Sequence, residues 1–347
     1  MKAKLIIIHS LGITSIAISS AQAQSPSPSA SAVPVTVGNF ERAESDLYFN
    51  NAAKEGGFGK FLHIRQPTEI EHQMVVRMNR DTLYSSAVFD LDAGPVTVTF
   101  PDAGGRFMSM EAIDEDHYVH GVFYGGKHIF NRKDVGTRYV LLAVRTLVDP
   151  ANADDLKQVH ALQDAIKVEQ PGGPGRFEIP NWDLASQKKV RGAIAALGAA
   201  SPLDSTTAFG TKSEVDPVMH LIGTAVGWGG NPNKEAHYTL QSPEKNDGKI
   251  IYRLTVPASV PVDGFWSVTV YNADGYFEKN DLNAYSLNNI TAKKNADGSV
   301  AIQFGGCDGK IPNCLPITKG WNYTVRMYRP RANILNGKWK FPEAQPQ

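Results

Sequence analysis

Residues 74–100 read MVVRMNRDTLYSSAVFDLDAGPVTVTF, and this stretch decides the class of fold. Apolar runs lie on both sides of residues 79–82, Asn-Arg-Asp-Thr, which are four polar residues typical of a turn. A second turn at residues 92–95 precedes residues 96–100, in which apolar residues alternate with threonine. Alternation with period two indicates a strand. The stretch therefore predicts three strands joined by short turns.

Two longer stretches resemble known families. Residues 79–119, NRDTLYSSAVFDLDAGPVTVTFPDAGGRFMSMEAIDEDHYV, resemble the domain of unknown function 1254. Residues 262–305, VDGFWSVTVYNADGYFEKNDLNAYSLNNITAKKNADGSVAIQFG, with NCLP and WNYTVRMYRP after them, resemble the domain of unknown function 1214. The two domains occur together, in this order, in many bacterial exported proteins. The resemblance implies β-sandwich or jelly-roll-like domains, and it implies no established reaction.

The remaining patterns predict a mainly β (α+β) chain with two β-sandwich or jelly-roll-like domains and a helical connector. We expect a first β-domain with an N-terminal helix at residues 37–150, the connector at 151–229 and the second β-domain at 230–347. Short strands with β-branched and aromatic residues support both β-domains. They are predicted at residues 106–113, 117–124, 138–147, 249–256, 265–271, 300–304 and 321–328.

The connector is predicted from helical spacing of apolar residues and from capping residues. An acidic start at residues 153–155 favours one helix, and Asp183 is a candidate N-cap for a second. A third short helix is expected at residues 217–225. Residues 125–127, Gly-Gly-Lys, are interpreted as a turn.

The N-terminus has the pattern of a secretory signal peptide. Lys2 and Lys4 precede an apolar run, and residues 21–23, Ala-Gln-Ala, form a small-x-small cleavage site. The alternative, a membrane anchor, fits less well because the run is shorter than the ~20 residues that a spanning helix needs. We therefore expect a signal peptide at 1–23, a disordered Ser/Pro/Ala leader at 24–36, and a periplasmic or secreted protein that starts near Gln24 and leaves the membrane after cleavage.

The charge balance argues against a nucleic-acid partner. The 347 residues include 35 Lys plus Arg and 35 Asp plus Glu, without a basic cluster. The sequence also lacks a GxSxG elbow, a P-loop and a GxGxxG motif. The α/β-hydrolase, nucleotide-dependent and dinucleotide classes are therefore excluded, and no cofactor is predicted.

The two cysteines, Cys307 and Cys314, enclose a short loop with a glycine and a proline. In an oxidising compartment this spacing predicts a disulfide. The alternative is a pair of metal ligands, which would need two further soft ligands nearby, and neither a CxxC motif nor clustered histidine supplies them. No metal is predicted.

The first candidate binding group is the polar turn with Asn79, Arg80 and Asp81. An exposed arginine can bind a carboxylate or a pair of sugar hydroxyls through two parallel hydrogen bonds. The alternative is structural: Asn79 and Asp81 hydrogen-bond the turn backbone, and Arg80 pairs within the chain.

The second candidate group lies in residues 113–120, Ile-Asp-Glu-Asp-His-Tyr-Val-His. If this segment is extended, Asp114, Asp116 and His120 share one face, and His117 lies on the other. Two carboxylates and an imidazole could hold a divalent metal or act as acid and base. The alternative is a solvated strand end, because no fixed metal-binding spacing is present.

Trp228 and Tyr276 lie near predicted turns and are candidate stacking platforms for a sugar or another ring. The alternative is a place in the core.

Because sequence-adjacent strands often pair, we expect the Arg80 and Asp116 groups to converge at one end of the first domain. The sequence thus predicts an exported protein that binds or processes a small polar molecule, of the carbohydrate or carboxylated class, in an inter-domain cleft. The alternative is a non-catalytic structural or interaction module of the cell envelope. Catalysis and oligomeric state stay open.

Overall fold

The computed structural model describes residues 31–73, 76–200 and 204–347. The predicted signal peptide, most of the predicted leader, and Met74 and Val75 of the first predicted strand lie outside these residues. The last part of the leader, by contrast, is in place. Val33 pairs with Trp182, and the backbone N–H of buried Val35 donates to Ser186 Oγ at 2.9 Å. The expected disorder therefore does not extend to residue 36.

The chain is mainly β, with several antiparallel sheets and a few helices. The helices are α1 (Phe40–Ala52), α2 (Arg132–Val135), α3 (Ala153–Asp164), α4 (Leu184–Ala200), α5 (Pro217–Gly227) and α6 (Ala332–Leu335). The strands are β1 (Leu62–His63), β2 (Thr82–Asp90), β3 (Val96–Phe100), β4 (Met108–Asp114), β5 (Val119–Phe123), β6 (Gly126–Phe130), β7 (Tyr139–Leu147), β8 (Lys167–Glu169), β9 (Ala236–Gln241), β10 (Tyr252–Val256), β11 (Trp266–Tyr271), β12 (Ser286–Asn288), β13 (Val300–Phe304), β14 (Cys314–Leu315), β15 (Asn322–Tyr328) and β16 (Gln345–Pro346).

The N-terminal half is built on a five-stranded antiparallel sheet with the order β1-β2-β7-β4-β5. A three-stranded sheet, β6-β3-β8, packs over one face of it. Alternate residues of β2, β3, β4 and β7 meet between the two sheets in an apolar core, because side chains along a strand alternate between its faces. The core includes Ala87, Phe89, Val96, Val98, Met108, Met110, Leu142 and Val144.

The C-terminal half has two four-stranded sheets, β14-β13-β10-β16 and β12-β11-β15-β9. Their facing sides enclose a second apolar core that includes Leu254, Val268, Ile302, Phe304, Trp321 and Val325. Cys307 and Cys314 form the predicted disulfide, with their Cα atoms 5.6 Å apart. The bridge lies where β13 runs parallel to β14.

The predicted helices are present, and Asp183 forms the cap predicted for it. The Asp183 side chain accepts the backbone N–H groups of Ala185 and Ser186 at the start of α4, and Asp216 caps α5 in the same way. Helices α1, α4 and α5 share an apolar cluster around Phe40, Ile194 and Ile222. Among the described residues, no helix has both the length and the apolar character that a membrane span requires.

Three details differ from the sequence prediction. Residues 76–78 were expected to form a strand but form a turn and coil. Their carbonyl oxygens accept hydrogen bonds from the side chains of Arg326 on β15 and Tyr271 on β11, instead of pairing with the backbone of a neighbouring strand. Residues 126–127, interpreted as a turn, begin β6, which pairs with β3. The short strands β8 and β9 were not predicted. Each is stabilised by its ladder to a longer strand rather than by its own pattern.

Candidate functional site

The two predicted polar groups lie at opposite ends of the five-stranded sheet, so their expected convergence is wrong. The backbone N–H of Val148, just after β7, donates to the Asp81 carbonyl oxygen at 3.0 Å. At the other end of β7, Val140 pairs with Asp114. Eight residues of extended chain separate these two points, roughly 25 Å at the usual rise per residue. The physical reason is that β7, which comes later in the chain, lies between β2 and β4 and is antiparallel to both. β2 and β4 therefore run in the same direction, so the start of β2 and the end of β4 lie at opposite ends of the sheet.

Asn79 and Asp81 are buried against the second half of the chain. The Asn79 side-chain amide donates to Tyr328 Oη at 3.0 Å, and its oxygen accepts the Asp81 backbone N–H at 2.7 Å. Oδ1 of Asp81 accepts from Ser286 Oγ at 2.7 Å and from Asn288 at 3.1 Å. The polar turn therefore binds protein groups. Asn79 bonds the turn backbone, as the structural alternative has it, whereas the Asp81 carboxylate bonds side chains of the second half of the chain instead.

Arg80 is also held within the protein. Its guanidinium donates to the carbonyl oxygen of Thr68 and lies over the ring of Tyr285, 5.2 Å from the ring centre. Burial lowers the pKa of Arg80 from its usual range. Because both the polar edge and the face of this guanidinium contact the protein, Arg80 has a structural role.

The Asp114 carboxylate organises the other end of the sheet. Its Oδ1 accepts the backbone N–H groups of Asp116 and Tyr118, both at 2.9 Å, and its Oδ2 lies 2.8 Å from Nε2 of His120. The Asp116 carboxylate extends outward and pairs with Arg42, with 2.7 Å between Nη2 and Oδ1. These contacts shape a turn, and among the described residues no group of three or more His, Cys, Asp or Glu could hold a metal ion.

Trp228 cannot act as an open stacking platform, because both of its faces are covered. Tyr48 stacks on one side with ring centres 4.3 Å apart, and His117 stacks at 5.2 Å. Tyr276 is half-buried in a turn in which its backbone N–H donates to Asn272 Oδ1 at 3.0 Å. Neither residue lies near Arg80 and Asp116 together, since those two residues are at opposite ends of the sheet.

His117 is a buried residue that sequence reasoning left aside. Its backbone has a φ of 66°, a conformation that costs free energy for a residue with a side chain. Nδ1 lies 2.7 Å from Thr224 Oγ1, and Nε2 accepts the Gly229 N–H at 2.9 Å. Burial, together with the neighbouring His220, holds the pKa of His117 well below its usual range. A neutral ring at this position joins the five-stranded sheet to α5 and the loop after it.

An open cleft of about 540 Å³ lies where the two halves of the chain meet. Its N-terminal wall consists of the loop between β3 and β4 and the turn after β5. Its C-terminal wall consists of Asp263, Gly264 and Arg329. Gly264 permits the close approach of the walls, because a Cβ atom there would lie 2.7 Å from the Tyr328 carbonyl oxygen and 3.0 Å from the Phe107 ring. None of the predicted site residues lines this cleft.

Arg329 is the cationic group left open in the cleft. Its backbone has a φ of 51° and is held by a hydrogen bond to the Glu235 carbonyl oxygen at 2.8 Å. The exposed guanidinium lies over the ring of Tyr124, with Cζ 4.6 Å from the ring centre. No ion pair to Arg329 is found in the described part of the chain. Because the backbone restricts the residue and Tyr124 supports its side chain, the guanidinium is positioned before any ligand arrives.

The other charged groups of the cleft wall have partners. Arg106 donates to the Leu147 carbonyl oxygen at 2.7 Å and to the Asp155 carboxylate at 3.0 Å. Asp263 accepts from Arg331 at 2.7 Å, and Asp102 accepts the Gly104 backbone N–H at 2.9 Å. Tyr124 donates its hydroxyl to Glu235 at 2.6 Å, and burial followed by this hydrogen bond raises its pKa above the usual range. The cleft thus combines one guanidinium that lacks an ion-pair partner among the described residues with backbone groups and with charged side chains that have partners.

Comparison with family models finds one matching segment in each half of the chain. Residues 58–133 match the protein of unknown function DUF1254, and residues 236–332 match the protein of unknown function DUF1214. The chain carries both family segments, in this order. The loop residues 100–108 of the cleft belong to the first match, and Asp263, Gly264 and Arg329 belong to the second.

Solved structures show the same fold at low sequence identity. The VPA0106 protein from Vibrio parahaemolyticus superposes with a TM-score of 0.67 and 21% identity, over 90% of this chain and 97% of that one. An uncharacterized protein from Burkholderia cenocepacia gives a TM-score of 0.51 and 14% identity, over 90% and 87% of the two chains. No curated protein matches the chain.

Proposed function

We propose that the protein binds a small carboxylated, hydroxyl-bearing molecule in the cleft between its two family segments. The observation that supports this is Arg329, a restrained guanidinium in an open cleft without a carboxylate partner among the described residues. A planar guanidinium matches a carboxylate through two parallel hydrogen bonds. The cleft volume of about 540 Å³ suits a single small molecule.

The other groups of the cleft wall can hydrogen-bond the hydroxyl groups of such a ligand. The loop between β3 and β4 and the turn after β5 present glycine backbone and polar side chains instead of a continuous apolar surface. Backbone N–H and carbonyl groups can hydrogen-bond hydroxyls without adding charge. The proposed ligand belongs to the small, polar class that the sequence predicts. The residues proposed to bind it differ from the predicted site residues.

Isothermal titration calorimetry with three probes tests this proposal. D-Glucuronate carries a carboxylate and hydroxyls, D-glucose only the hydroxyls, and acetate only the carboxylate. We expect saturable binding of glucuronate that exceeds the binding of either other probe. Arg329→Ala should weaken glucuronate binding at least tenfold, because a hydrogen bond to a charged group contributes about 1.5–3 kcal/mol.

Arg253→Ala is the matched control, since Arg253 is an exposed arginine on β10 outside the cleft. It should leave glucuronate binding unchanged. Equal binding by wild type, R329A and R253A would place the carboxylate elsewhere. If the wild type binds none of the three probes, the non-catalytic envelope module becomes the better interpretation.

We also infer that the protein is exported. The predicted signal peptide motivates this inference, and the Cys307–Cys314 disulfide is compatible with an oxidising compartment. N-terminal sequencing of the mature protein should begin at Gln24. A start that differs by more than a few residues, or retention in the membrane fraction, would argue against cleavage at Ala23.

A further inference from the structure

The lining of the cleft between the two halves of the chain contains four charged side chains, and two of them already form ion pairs. Arg106 pairs with Asp155, and Asp263 accepts from Arg331 at 2.7 Å. Asp155 and Arg331 are not part of the lining, but each of them neutralises a residue that is. These two pairs therefore leave no net charge for a ligand to neutralise.

Asp102 and Arg329 are the other two charged residues of the lining. No ion pair to either of them is found in the part of the chain that the structure describes. Asp102 lies in the loop between β3 and β4, on the N-terminal wall, and Arg329 lies on the C-terminal wall. Both residues are exposed. One negative and one positive charge without an ionic partner thus line the same cleft from opposite walls.

The Asp102 carboxylate is held in place by its own loop. Its Oδ1 accepts the backbone N–H of Gly104 at 2.9 Å, a short-range hydrogen bond that is typical of aspartate and asparagine in turns. An ionised carboxylate has about four acceptor positions, so this one bond leaves capacity for a ligand. The loop therefore restrains Asp102 before a ligand binds, as the ring of Tyr124 does for Arg329.

Glu235 is a further carboxylate next to Arg329, but it is engaged behind the wall of the cleft. Its Oε2 accepts the hydroxyl of Tyr124 at 2.6 Å, and Glu235 is not part of the lining. Its contact with Arg329 is through the backbone, where the Glu235 carbonyl oxygen accepts the Arg329 N–H at 2.8 Å. Glu235 thus supports the residues around the cleft, and Asp102 is the carboxylate that a ligand can reach.

Glycines leave space in the cleft. Gly104, Gly105 and Gly125 belong to its lining, and a Cβ atom at any of the three would have no other atom within 4 Å. With a volume of about 540 Å³, the cleft has room for a small molecule that carries one group for each wall.

We propose that the ligand of the cleft is a zwitterion, a small hydroxyl-bearing molecule with an ammonium group in addition to its carboxylate. This inference rests on the proposed function, in which Arg329 binds the carboxylate. The ammonium group donates to Asp102, so that each charge of the ligand meets an opposite charge of the protein. A ligand with a carboxylate alone would leave Asp102 without a partner. Amino sugar acids have the required combination of groups.

D-Glucosaminate and D-gluconate are matched probes, because they differ only in having an ammonium group or a hydroxyl group at carbon 2. Titration calorimetry at about pH 6.5 keeps the amine protonated. Wild type should bind glucosaminate about fivefold more tightly than gluconate, since an exposed ion pair is favourable but weak.

Asp102→Asn removes the charge and keeps the turn, because the asparagine oxygen can accept the same Gly104 N–H. D102N should bind the two probes with equal affinity. Asp297→Asn is the matched control, since Asp297 is an exposed aspartate whose Oδ1 accepts the Ser299 backbone N–H at 2.9 Å in a turn outside the cleft. D297N should keep the preference of wild type for glucosaminate.

Salt provides a second measure that needs no variant. The preference of wild type for glucosaminate should shrink at about 1 M NaCl, where the screening length is about 3 Å. A wild type without this preference, a preference that salt leaves unchanged, or a folded D102N that retains it would overturn the zwitterion and leave the proposed function intact.

Arg329→Ala separates the two proposals. R329A should weaken the binding of both probes at least tenfold, because both carry the carboxylate. Unchanged affinities in R329A, or no binding of either probe to wild type, would refute the carboxylate site and the zwitterion together.

Discussion

Two polar regions of the first sheet differ in how completely the protein satisfies them. At the Asp114 end, both carboxylate oxygens accept hydrogen bonds from within the same turn. At the Glu111–Arg145 ion pair, one carboxylate oxygen and the Ser109 hydroxyl have no partner among the described residues. The first region is richer in charge along the sequence, yet the second has the unsatisfied acceptor. The density of charged residues in the sequence therefore does not indicate how completely the fold satisfies them.

Asp114→Ala should give the largest loss of stability, because it leaves two backbone N–H groups and the His120 ring without their acceptor. We expect the free energy of unfolding to fall by about 2–4 kcal/mol. Urea denaturation measures the change, and the glucuronate affinity should stay at its wild-type value. Asp116→Ala is the control, since the exposed pair with Arg42 contributes below about 1 kcal/mol. Equal losses in the two variants would contradict a structural role specific to Asp114.

Asp46→Asn should change how stability depends on pH. Burial raises the pKa of Asp46 from 3.8 to about 6, although Trp182 Nε1 donates to its Oδ2 at 2.8 Å. The folded protein therefore holds this proton more tightly than the unfolded chain does. The contribution of Asp46 to the free energy of unfolding is therefore greatest below pH 4, falls as pH rises from 4 to 6, and stays lower above that range.

Urea titrations of wild type and D46N at pH 4 and pH 7.5 measure this contribution. The difference in unfolding free energy should shift by about 2–3 kcal/mol in favour of D46N on going to pH 7.5. Parallel pH profiles for the two proteins would show that Asp46 is not the titrating group. The result sharpens the comparison, because Asp46 Oδ1 is another buried carboxylate oxygen without a partner among the described residues, but it belongs to α1 and not to the five-stranded sheet.

Thr324→Val should have the smallest effect. The Thr324 hydroxyl is buried between the halves of the chain and has no partner among the described residues. An apolar group of the same shape should change the unfolding free energy by less than about 1 kcal/mol in either direction. Thermal denaturation measures it. A loss above about 2 kcal/mol would mean that the Thr324 hydroxyl has a hydrogen-bond partner such as an ordered water.

Much of the fold could be predicted because its signals are local. The alternation in residues 96–100, the cap at Asp183 and the spacing of Cys307 and Cys314 each describe one element or loop, and all are present in the structure. Strands such as β9 had no comparable local signal, because the ladder to β15 stabilises them.

The candidate sites could not be predicted because they depend on tertiary arrangement. The cleft assembles four loops that are distant in sequence, and Arg329 gives no local sign of its open guanidinium. The expected convergence of Arg80 and Asp116 failed because β7 lies between their strands. The two glycines at residues 104–105 are locally only a sign of a turn, although they also line the cleft.

The polar contact between the two halves has a consequence for synthesis. Ser267, Thr269, Thr324 and Arg326 project from β11 and β15 towards the N-terminal half, where they are buried. A ribosome releases the DUF1254 segment before it has made these strands. Because hydroxyls and guanidinia are well hydrated, this part of each unfinished surface is compatible with water, whereas apolar Phe107 and Leu147 are covered only when Phe265 and Tyr328 arrive. A chain that emerges piecemeal benefits from the hydrated part of this interface.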